Sequence, residues 1–470
     1  MINMKSEIKT IHKKLTAGEI SCIDIVKGKI KELENSTNNT ANYLLSDLAL
    51  DKAKAVDKKI KKGEEISLLE GVPFGIKDVY LLQGCHASAS SKFLENYISP
   101  YTATAIQKLM DAGAIPIVKE NCDSFGHGSS NENSYFGPAK NALNDHLVPG
   151  GSSGGSAINV AKGYTTFSIG SDTGGSIRQP AGFNKVYGLK PTYGRISRYG
   201  LMAYASSTDC VGPISKSLED IRILLNIMSG KDYHDQTTFD SKEISDQVFK
   251  EKIPHNIKVG YYKNFLANTD LDSTIKADFI KLIDTLKQKN IEVIELDFYD
   301  VNILVSTYYV LAMAETASNL ARLDGSTYGG RIGADSLKES YAITRSENFT
   351  EETKRRIVGG NQVLSHGHSE EIYLKARSLR EEIKNSFDRE FDQVDIILSP
   401  VSPNLPPEIG DSLKDPLAMY LSDAYTVGFS LGGLPTLTAP VGTETGIQIT
   451  AAKRKEEDIL KFANFLNDLV

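Results

Sequence analysis

Two glycine–serine segments contain the strongest candidates for catalytic residues in this sequence. The segments are Pro149-Gly-Gly-Ser-Ser-Gly-Gly-Ser156 and Gly170-Ser-Asp-Thr-Gly-Gly-Ser-Ile-Arg-Gln-Pro180. In the second segment, the small residues of Thr173-Gly174-Gly175-Ser176 allow backbone N–H groups to converge on one point, to which Ser176 can project its hydroxyl. This pattern predicts a serine nucleophile with an oxyanion hole formed by the backbone of Thr173, Gly174, Gly175 and Ser176. A phosphate-binding nest would use the same glycines.

A serine nucleophile needs a base, and the scattered histidines make a lysine the next candidate. Lys77 follows the apolar run in Gly71-Val-Pro-Phe-Gly-Ile-Lys77, where it could be buried. Burial disfavours the charged form and lowers the pKa of a lysine towards neutrality. A buried Lys77 could therefore accept a proton, although most lysines taken alone lie at the surface.

Other common catalytic patterns fit less well. Gly150-Gly-Ser152-Ser-Gly154 matches the nucleophile elbow of α/β-hydrolases, but Pro149 occupies the place where the required strand should end. Gly230-Lys231 is not part of a P-loop, because Leu225 replaces the first glycine of that motif. The pair in His366-Gly-His368 favours an exposed loop over a metal site. We expect no bound metal in this chain.

Length, composition and charge limit the class of protein. The 470 residues are 40% hydrophobic and 24% charged, a globular mixture that excludes disorder of the whole chain. A net charge of −7 is not expected of a protein that binds nucleic acid by itself, so any RNA should be bound mainly by a partner. Dispersed cysteines and an N-terminus without a secretory signal predict a reducing, cytoplasmic location. Glycines and prolines interrupt the uncharged run 424–443, which favours a buried strand and turn over a membrane span.

The elements that must position these residues follow an α/β pattern. We expect a helical segment at 1–65, a catalytic core at 66–220 and the remainder of the same domain at 221–470. Between 126 and 200, glycines and small polar residues indicate packed loops around a site. The expected helices are 15–33, 47–62, 102–112, 272–289 and 369–391, and the expected strands are 114–118, 256–261, 291–296 and 394–398. This alternation predicts a central mixed β-sheet covered by helices on both faces.

With these motifs, the sequence resembles the amidase signature family. Lys77 and the loops of Ser152 and Ser176 match the three motifs of that family, with spacings of 75 and 24 residues. The resemblance implies a single amidase domain with the amidase signature fold over residues 1–470. It also implies that Lys77 is the base and that Ser176 forms the acyl-enzyme. Ser152, which carries a cis peptide bond in the family, would relay the proton between them.

Further stretches are similar to the A subunits of glutamyl-tRNA(Gln) amidotransferases. They include Asn131-Glu-Asn-Ser134, Lys190-Pro-Thr-Tyr-Gly-Arg-Ile-Ser-Arg-Tyr-Gly-Leu201, Ala205-Ser-Ser-Thr-Asp209, Arg345-Ser-Glu-Asn-Phe349 and Lys354-Arg-Arg-Ile357. The similarity implies that glutamine is held by Tyr308, Arg356 and Asp423, with Tyr309 as the alternative to Tyr308. An arginine fork suits the α-carboxylate of glutamine, and an aspartate suits its α-ammonium. Read singly, the three could be a core tyrosine, a helix-face charge and a helix cap.

The resemblance further implies a glutaminase subunit that supplies ammonia for the conversion of Glu-tRNA(Gln) to Gln-tRNA(Gln). The B and C subunits would complete a heterotrimer, in which the B subunit would hold most of the mischarged tRNA. No cofactor is expected in this chain, since ATP and Mg²⁺ would act on a partner subunit. A free-standing serine amidase for another small amide stays open, although it would leave Arg356 and Asp423 without partners. A non-catalytic scaffold of the complex also stays open, although Lys77, Ser152 and Ser176 are all intact.

Overall fold

A computed structural model describes residues 5–254 and 256–469, and within them eleven strands form one sheet. The strands are β1 (Ala41–Leu44), β2 (Pro73–Lys77), β3 (Ile115–Glu120), β4 (Phe167–Asp172), β5 (Tyr187–Lys190), β6 (Cys210–Ser215), β7 (Lys258–Tyr262), β8 (Glu292–Leu296), β9 (Ile396–Pro400), β10 (Thr436–Ala439) and β11 (Ile447–Ala451). Their order is β1-β3-β2-β4-β6-β5-β10-β11-β9-β7-β8. β3, β2 and β4 run parallel, as do β9, β7 and β8, and the pairs between these groups are antiparallel. The predicted mixed sheet is confirmed.

Helices cover this sheet. The α-helices are α1 (Glu7–Thr16), α2 (Cys22–Glu34), α3 (Ser46–Lys61), α4 (Thr104–Asp111), α5 (Gly154–Lys162), α6 (Arg178–Phe183), α7 (Leu218–Met228), α8 (Lys263–Ala267), α9 (Ser273–Gln288), α10 (Val301–Asn319), α11 (Leu337–Asn348), α12 (Glu351–Leu364), α13 (Leu374–Phe391), α14 (Asp411–Lys414), α15 (Pro416–Leu421), α16 (Val427–Gly432) and α17 (Glu456–Leu469). Eight strands, among them β2 and β4, are buried at every position. Because successive side chains of a strand point to opposite faces, both faces of the sheet are covered, as expected.

Most predicted elements are found within a residue or two of their expected ends. The exception is the helix expected over 15–33, which the structure divides into α1 and α2. Gly18 adopts a φ of 69° in the turn between them, and the hydroxyl of Ser21 accepts a hydrogen bond from the N–H of Asp24 at 3.1 Å. The prediction was wrong because apolar spacing continues across this break, while the cap at Ser21 starts a new helix. The helix expected at 369–391 begins with one π-helical turn, Ser369–Tyr373.

Two glycine-rich segments contain more helix than expected. Segment 126–200, predicted as packed loops, also holds β4, β5, α5 and α6, and the run 424–443, predicted as strand and turn, holds α16 before β10. In α5, Gly155 is required by close packing, since a Cβ there would lie 2.4 Å from the carbonyl oxygen of Asn121. A prediction based on glycine content alone therefore missed these helices. The prediction that no secretory signal is present rests partly on residues 1–4, which lie outside the described residues.

No helix among residues 5–254 and 256–469 combines the length and the apolar composition needed to cross a bilayer.

Candidate active site

Lys77, the predicted base, ends strand β2 and is completely buried. Its Nζ lies 2.7 Å from Ser152 Oγ and 2.9 Å from Ser171 Oγ. Burial lowers the pKa of Lys77 from its ordinary value, although the carboxylates of Asp123 and Asp172 oppose that effect. A neutral amine with a serine hydroxyl in contact is the arrangement that a proton acceptor requires.

The first glycine–serine loop brings Ser152 to this lysine. The Gly151–Ser152 peptide bond is cis, as the resemblance implies. The carbonyl of Ser152 accepts a hydrogen bond from the N–H of Asp123 at 3.3 Å, and the Gly151 N–H donates to the side-chain oxygen of Gln179 at 3.2 Å. The next residue, Ser153, donates its N–H to the carbonyl of Ser176 at 3.0 Å. The two loops are thereby joined directly through their backbones.

The second loop connects β4 to α6, which is the strand–turn–helix context of a nucleophile elbow. Ser152 lacks that context, since none of the described strands leads into its loop. The carboxylate of Asp172 accepts hydrogen bonds from the N–H groups of Gly175 at 2.9 Å and Ile177 at 3.1 Å, and it binds the guanidinium of Arg178 at 2.9 Å. An internal carboxylate thus occupies N–H groups that a phosphate nest would use.

The pairing with Asp172 changes the predicted oxyanion hole at one position. The N–H of Gly175 is already used within the loop, because it donates to that carboxylate. The N–H groups of Thr173, Gly174 and Ser176 have no acceptor in the described part of the chain. These three therefore remain as donors for an oxyanion, and the expectation for Gly175 is not supported by this geometry.

Ser176, the predicted nucleophile, is the most accessible of the three predicted catalytic residues. It is 8% exposed, against 1% for Ser152 and 0% for Lys77. The structure brings Lys77 and Ser152 into hydrogen-bond contact, and it places the Ser176 loop beside them through the Ser153 N–H. No hydrogen bond joins the hydroxyls of Ser152 and Ser176 within the described residues. A substrate would therefore meet Ser176 first, with the base behind it.

The wall opposite the Ser176 loop is formed by α10. A Cβ on Gly174 would lie 2.5 Å from both Cζ and the hydroxyl oxygen of Tyr308, so the ring lies directly against that loop. The Tyr308 hydroxyl is also 3.5 Å from that of Tyr204. The predicted substrate residue Tyr308 and the predicted oxyanion loop are therefore neighbours.

Arg356 lies on α12 and is only 2% exposed. Its Nε donates to a carboxylate oxygen of Glu352 at 2.7 Å, and its Nη1 donates to the hydroxyl of Tyr204. The guanidinium lies over the rings of Tyr309 and Tyr420, 5.2 and 5.5 Å from their centroids. This is a rigid, desolvated cation that is suited to a carboxylate ligand.

Asp423 provides the opposite charge. Its carboxylate accepts hydrogen bonds from the hydroxyls of Tyr309 at 2.7 Å and Ser129 at 2.9 Å. Burial raises the pKa of Asp423 to about 7, against the effect of these two hydroxyls. Tyr308 therefore faces Gly174 and Tyr309 contacts Asp423, so both tyrosines left open by the sequence belong to the site.

The sequence did not identify Tyr204, Ser129, Glu352 or Tyr420 as parts of this site. Only Glu352 gave a usable signal, since it precedes Arg356 by four residues, the spacing of an intrahelical ion pair. The other three come from loops and a short helix that are distant in sequence and meet only in the fold. Together the site offers a hydroxyl beside a buried amine, free N–H groups and a pocket that contains the buried side chains of Arg356, Glu352 and Asp423.

The chain is similar to known proteins in both sequence and structure. The Amidase family model matches residues 24–460. The A subunit of the glutamyl-tRNA(Gln) amidotransferase of Carboxydothermus hydrogenoformans is 40% identical over 463 residues, covering 97% of this chain and 95% of that protein. The A subunit of the Nitratiruptor enzyme is 46% identical over 380 residues, covering 81% and 85%. The crystal structure of the A subunit from Thermotoga maritima superposes with a TM-score of 0.72 at 35% identity, covering 85% of this chain and 83% of that one.

Proposed function

This chain belongs to the amidase family, among the glutamyl-tRNA(Gln) amidotransferase A subunits, and from that premise we propose that it is the glutaminase subunit of a tRNA-dependent amidotransferase. It would hydrolyse the side-chain amide of glutamine. The ammonia released would convert Glu-tRNA(Gln) to Gln-tRNA(Gln).

One observation carries the assignment of glutamine as the substrate. Arg356 and Asp423, both buried, lie on either side of Tyr309 and close to the Gly174 loop. Burying a charge is costly unless other groups compensate it, so a pocket that presents the guanidinium of Arg356 and the carboxylate of Asp423 favours a ligand that carries the opposite pair of charges. Glutamine brings an α-carboxylate for Arg356, which is otherwise paired with Glu352. It also brings an α-ammonium for Asp423, which contacts hydroxyls but no cation among the described residues, whereas a simple neutral amide offers neither charge.

The proposed reaction begins with attack by Ser176 Oγ on the amide carbon of the glutamine side chain. The proton of Ser176 passes to Ser152 while the proton of Ser152 passes to neutral Lys77, and the N–H groups of Thr173, Gly174 and Ser176 stabilise the oxyanion. The carbon–nitrogen bond then breaks, and the nitrogen leaves as ammonia with the proton that Lys77 accepted. Attack by water on the resulting ester releases glutamate and regenerates Ser176.

The partners are part of the same proposal. The B and C subunits would complete a heterotrimer in the cytoplasm, with ATP and Mg²⁺ used by a partner and the tRNA held mainly by the B subunit. The names of the relatives support a multisubunit enzyme, and the net charge of −7 supports a tRNA site outside this chain.

The test is ammonia release from L-glutamine by this chain, alone and with its co-purified partners. We expect glutamine-dependent release in the assembled complex and its loss by about 10³-fold or more in Ser176→Ala, since the attacking hydroxyl is removed. Survival of glutamine in both preparations would contradict the assignment of the substrate. Rapid hydrolysis of simple amides without partners would favour a free-standing amidase, and unchanged activity of Ser176→Ala in the complex would favour a scaffold.

A further inference from the structure

A fully buried histidine of the site takes no part in the proposed reaction. His127 follows the short 3-10 helix Ser124–Gly126. The same loop carries Ser129, which binds Asp423, and begins at Asp123, whose N–H binds the carbonyl of Ser152. His127 therefore lies between the catalytic serine loop and the charged pocket.

Both ring nitrogens of His127 contact threonine hydroxyls on two different helices. Nε2 lies 3.2 Å from Thr316 Oγ1 on α10, and Nδ1 lies 3.2 Å from Thr353 Oγ1 on α12. Helix α10 carries Tyr308, and α12 carries Arg356. The imidazole thus connects the two helices that carry Tyr308 and Arg356.

The ring of His127 also supports Tyr204. The two rings pack edge to face, with centroids 4.6 Å apart and an interplanar angle of 85°. The Tyr204 hydroxyl accepts a hydrogen bond from Arg356 and lies 3.5 Å from the Tyr308 hydroxyl. A displacement of His127 would therefore be transmitted to Arg356 by two routes, through α12 and through Tyr204.

The surroundings of His127 suit its neutral form. Burial lowers the pKa of His127 well below its usual value, and the positive charge of Arg356 lowers it further. The hydroxyl of Thr350 donates to that of Thr353 at 3.1 Å, which leaves the Thr353 proton free for Nδ1. Nε2–H can then donate to Thr316, so a neutral ring has both of its hydrogen bonds satisfied.

We propose that His127 is a positioning residue that sets the affinity for glutamine, by holding α10, α12 and Tyr204 at the spacing at which Arg356 meets the α-carboxylate. The proposal rests on the proposed function. Among the described residues, the hydrogen-bond partners of the His127 ring are the two threonines and not Lys77, Ser152 or Ser176. Its loss should therefore act on glutamine binding more than on the chemical step.

The sharpest test removes the threonine hydroxyl that contacts each ring nitrogen and leaves His127 itself unchanged. Thr316→Val and Thr353→Val keep nearly the same side-chain shape and delete a hydroxyl, although Thr353→Val also removes the acceptor of the Thr350 hydroxyl, so that Thr316→Val is the cleaner variant. Each should raise KM for glutamine about 3- to 10-fold, the effect expected for one buried hydrogen bond, and leave kcat within about twofold. His127→Leu should raise KM more than either, and His127→Gln, which retains a donor and an acceptor, should recover part of the loss.

Thr307→Val is the matched control. Thr307 is also buried on α10, but its hydroxyl binds the carbonyl of Ile303 within its own helix. Its KM should stay at the wild-type value. All variants are assayed as the assembled complex by initial rates of ammonia release, and the melting temperature of each is recorded.

The outcomes separate this proposal from the proposed function. If wild type fails to hydrolyse glutamine, the proposed function fails, and the role of His127 fails with it. If wild type is active but KM in Thr316→Val and Thr353→Val equals that of Thr307→Val, only the role of His127 fails. A fall in kcat at unchanged KM would also overturn it. A rise in KM for both variants, with kcat and melting temperature near wild type, supports it.

Discussion

Gly174→Ala should damage catalysis through a single steric contact. The added Cβ would lie 2.5 Å from Cζ and from the hydroxyl oxygen of Tyr308. Because carbon atoms pack at ~3.5–4.0 Å, the contact must open by about 1 Å. The Tyr308 ring is only 2% exposed and is held within the core, so the displacement should fall largely on the loop of residues 173–176.

The displaced loop carries the free N–H groups and the nucleophile. A misplacement of about 1 Å at reacting groups can cost roughly 10²-fold in rate, and the loss of one oxyanion donor costs about 10²–10³-fold. We therefore expect kcat for glutamine hydrolysis to fall about 10²-fold in Gly174→Ala. Melting temperature should change little, because Gly174 lies outside helices and strands.

Steady-state ammonia release by the assembled complex measures this effect. Gly28→Ala is the matched control, since Gly28 lies on an exposed part of α2 and an added Cβ there meets no atom within 4 Å. Retention of kcat within about threefold in Gly174→Ala, with normal melting, would refute the idea that contact between Tyr308 and this loop holds the oxyanion site.

Three further outcomes follow from the charges in the site. Lys77→Met and Lys77→Arg should each lower kcat by about 10²–10⁴-fold in the ammonia assay, because neither residue can accept the proton; activity in Lys77→Arg would contradict the requirement for a neutral base. Burial raises the pKa of Asp423 to about 7, so its carboxylate becomes protonated and neutral as the pH falls through that value. KM for glutamine should therefore rise as the pH is lowered from about 8 to about 6 in wild type, and in Asp423→Asn it should be high and independent of pH. Arg178→Met leaves the buried Asp172 without its cation, and urea unfolding should show a loss of about 3–5 kcal/mol; a loss below ~1 kcal/mol would count against that pairing.

Local sequence patterns predicted the regular elements well. Strands such as β7 and β8 have short apolar runs bounded by polar turns, and helices such as α9 have apolar residues at helical spacing. The pattern failed between α1 and α2, where a turn at Gly18 interrupts apolar spacing that is continuous in the sequence. It failed again at α5, where Gly155 is required by its contact with Asn121 and gives no local helix signal.

Only part of the site could be predicted from the sequence, because the rest depends on contacts that form only in the fold. Lys77 and the two glycine–serine loops are recognisable because each motif is contiguous. The contact of Lys77 with Ser171 depends on how β2 and β4 are aligned in the sheet, and the use of the Gly175 N–H by Asp172 depends on the conformation of the loop that follows β4. Tyr204 belongs to the pocket only because the fold brings its loop against α12.

The proposed reaction requires that Ser176 forms a covalent ester with the glutamyl group. The most direct measurement is rapid acid quenching of the assembled complex with isotopically labelled L-glutamine, followed by mass spectrometry of the peptide that contains Ser176. We expect a glutamyl group, equal in mass to glutamine less ammonia, on Ser176 in wild type and on no residue in Ser176→Ala. Glutamine turnover at the wild-type rate in Ser176→Ala, or a label on another residue, would contradict it.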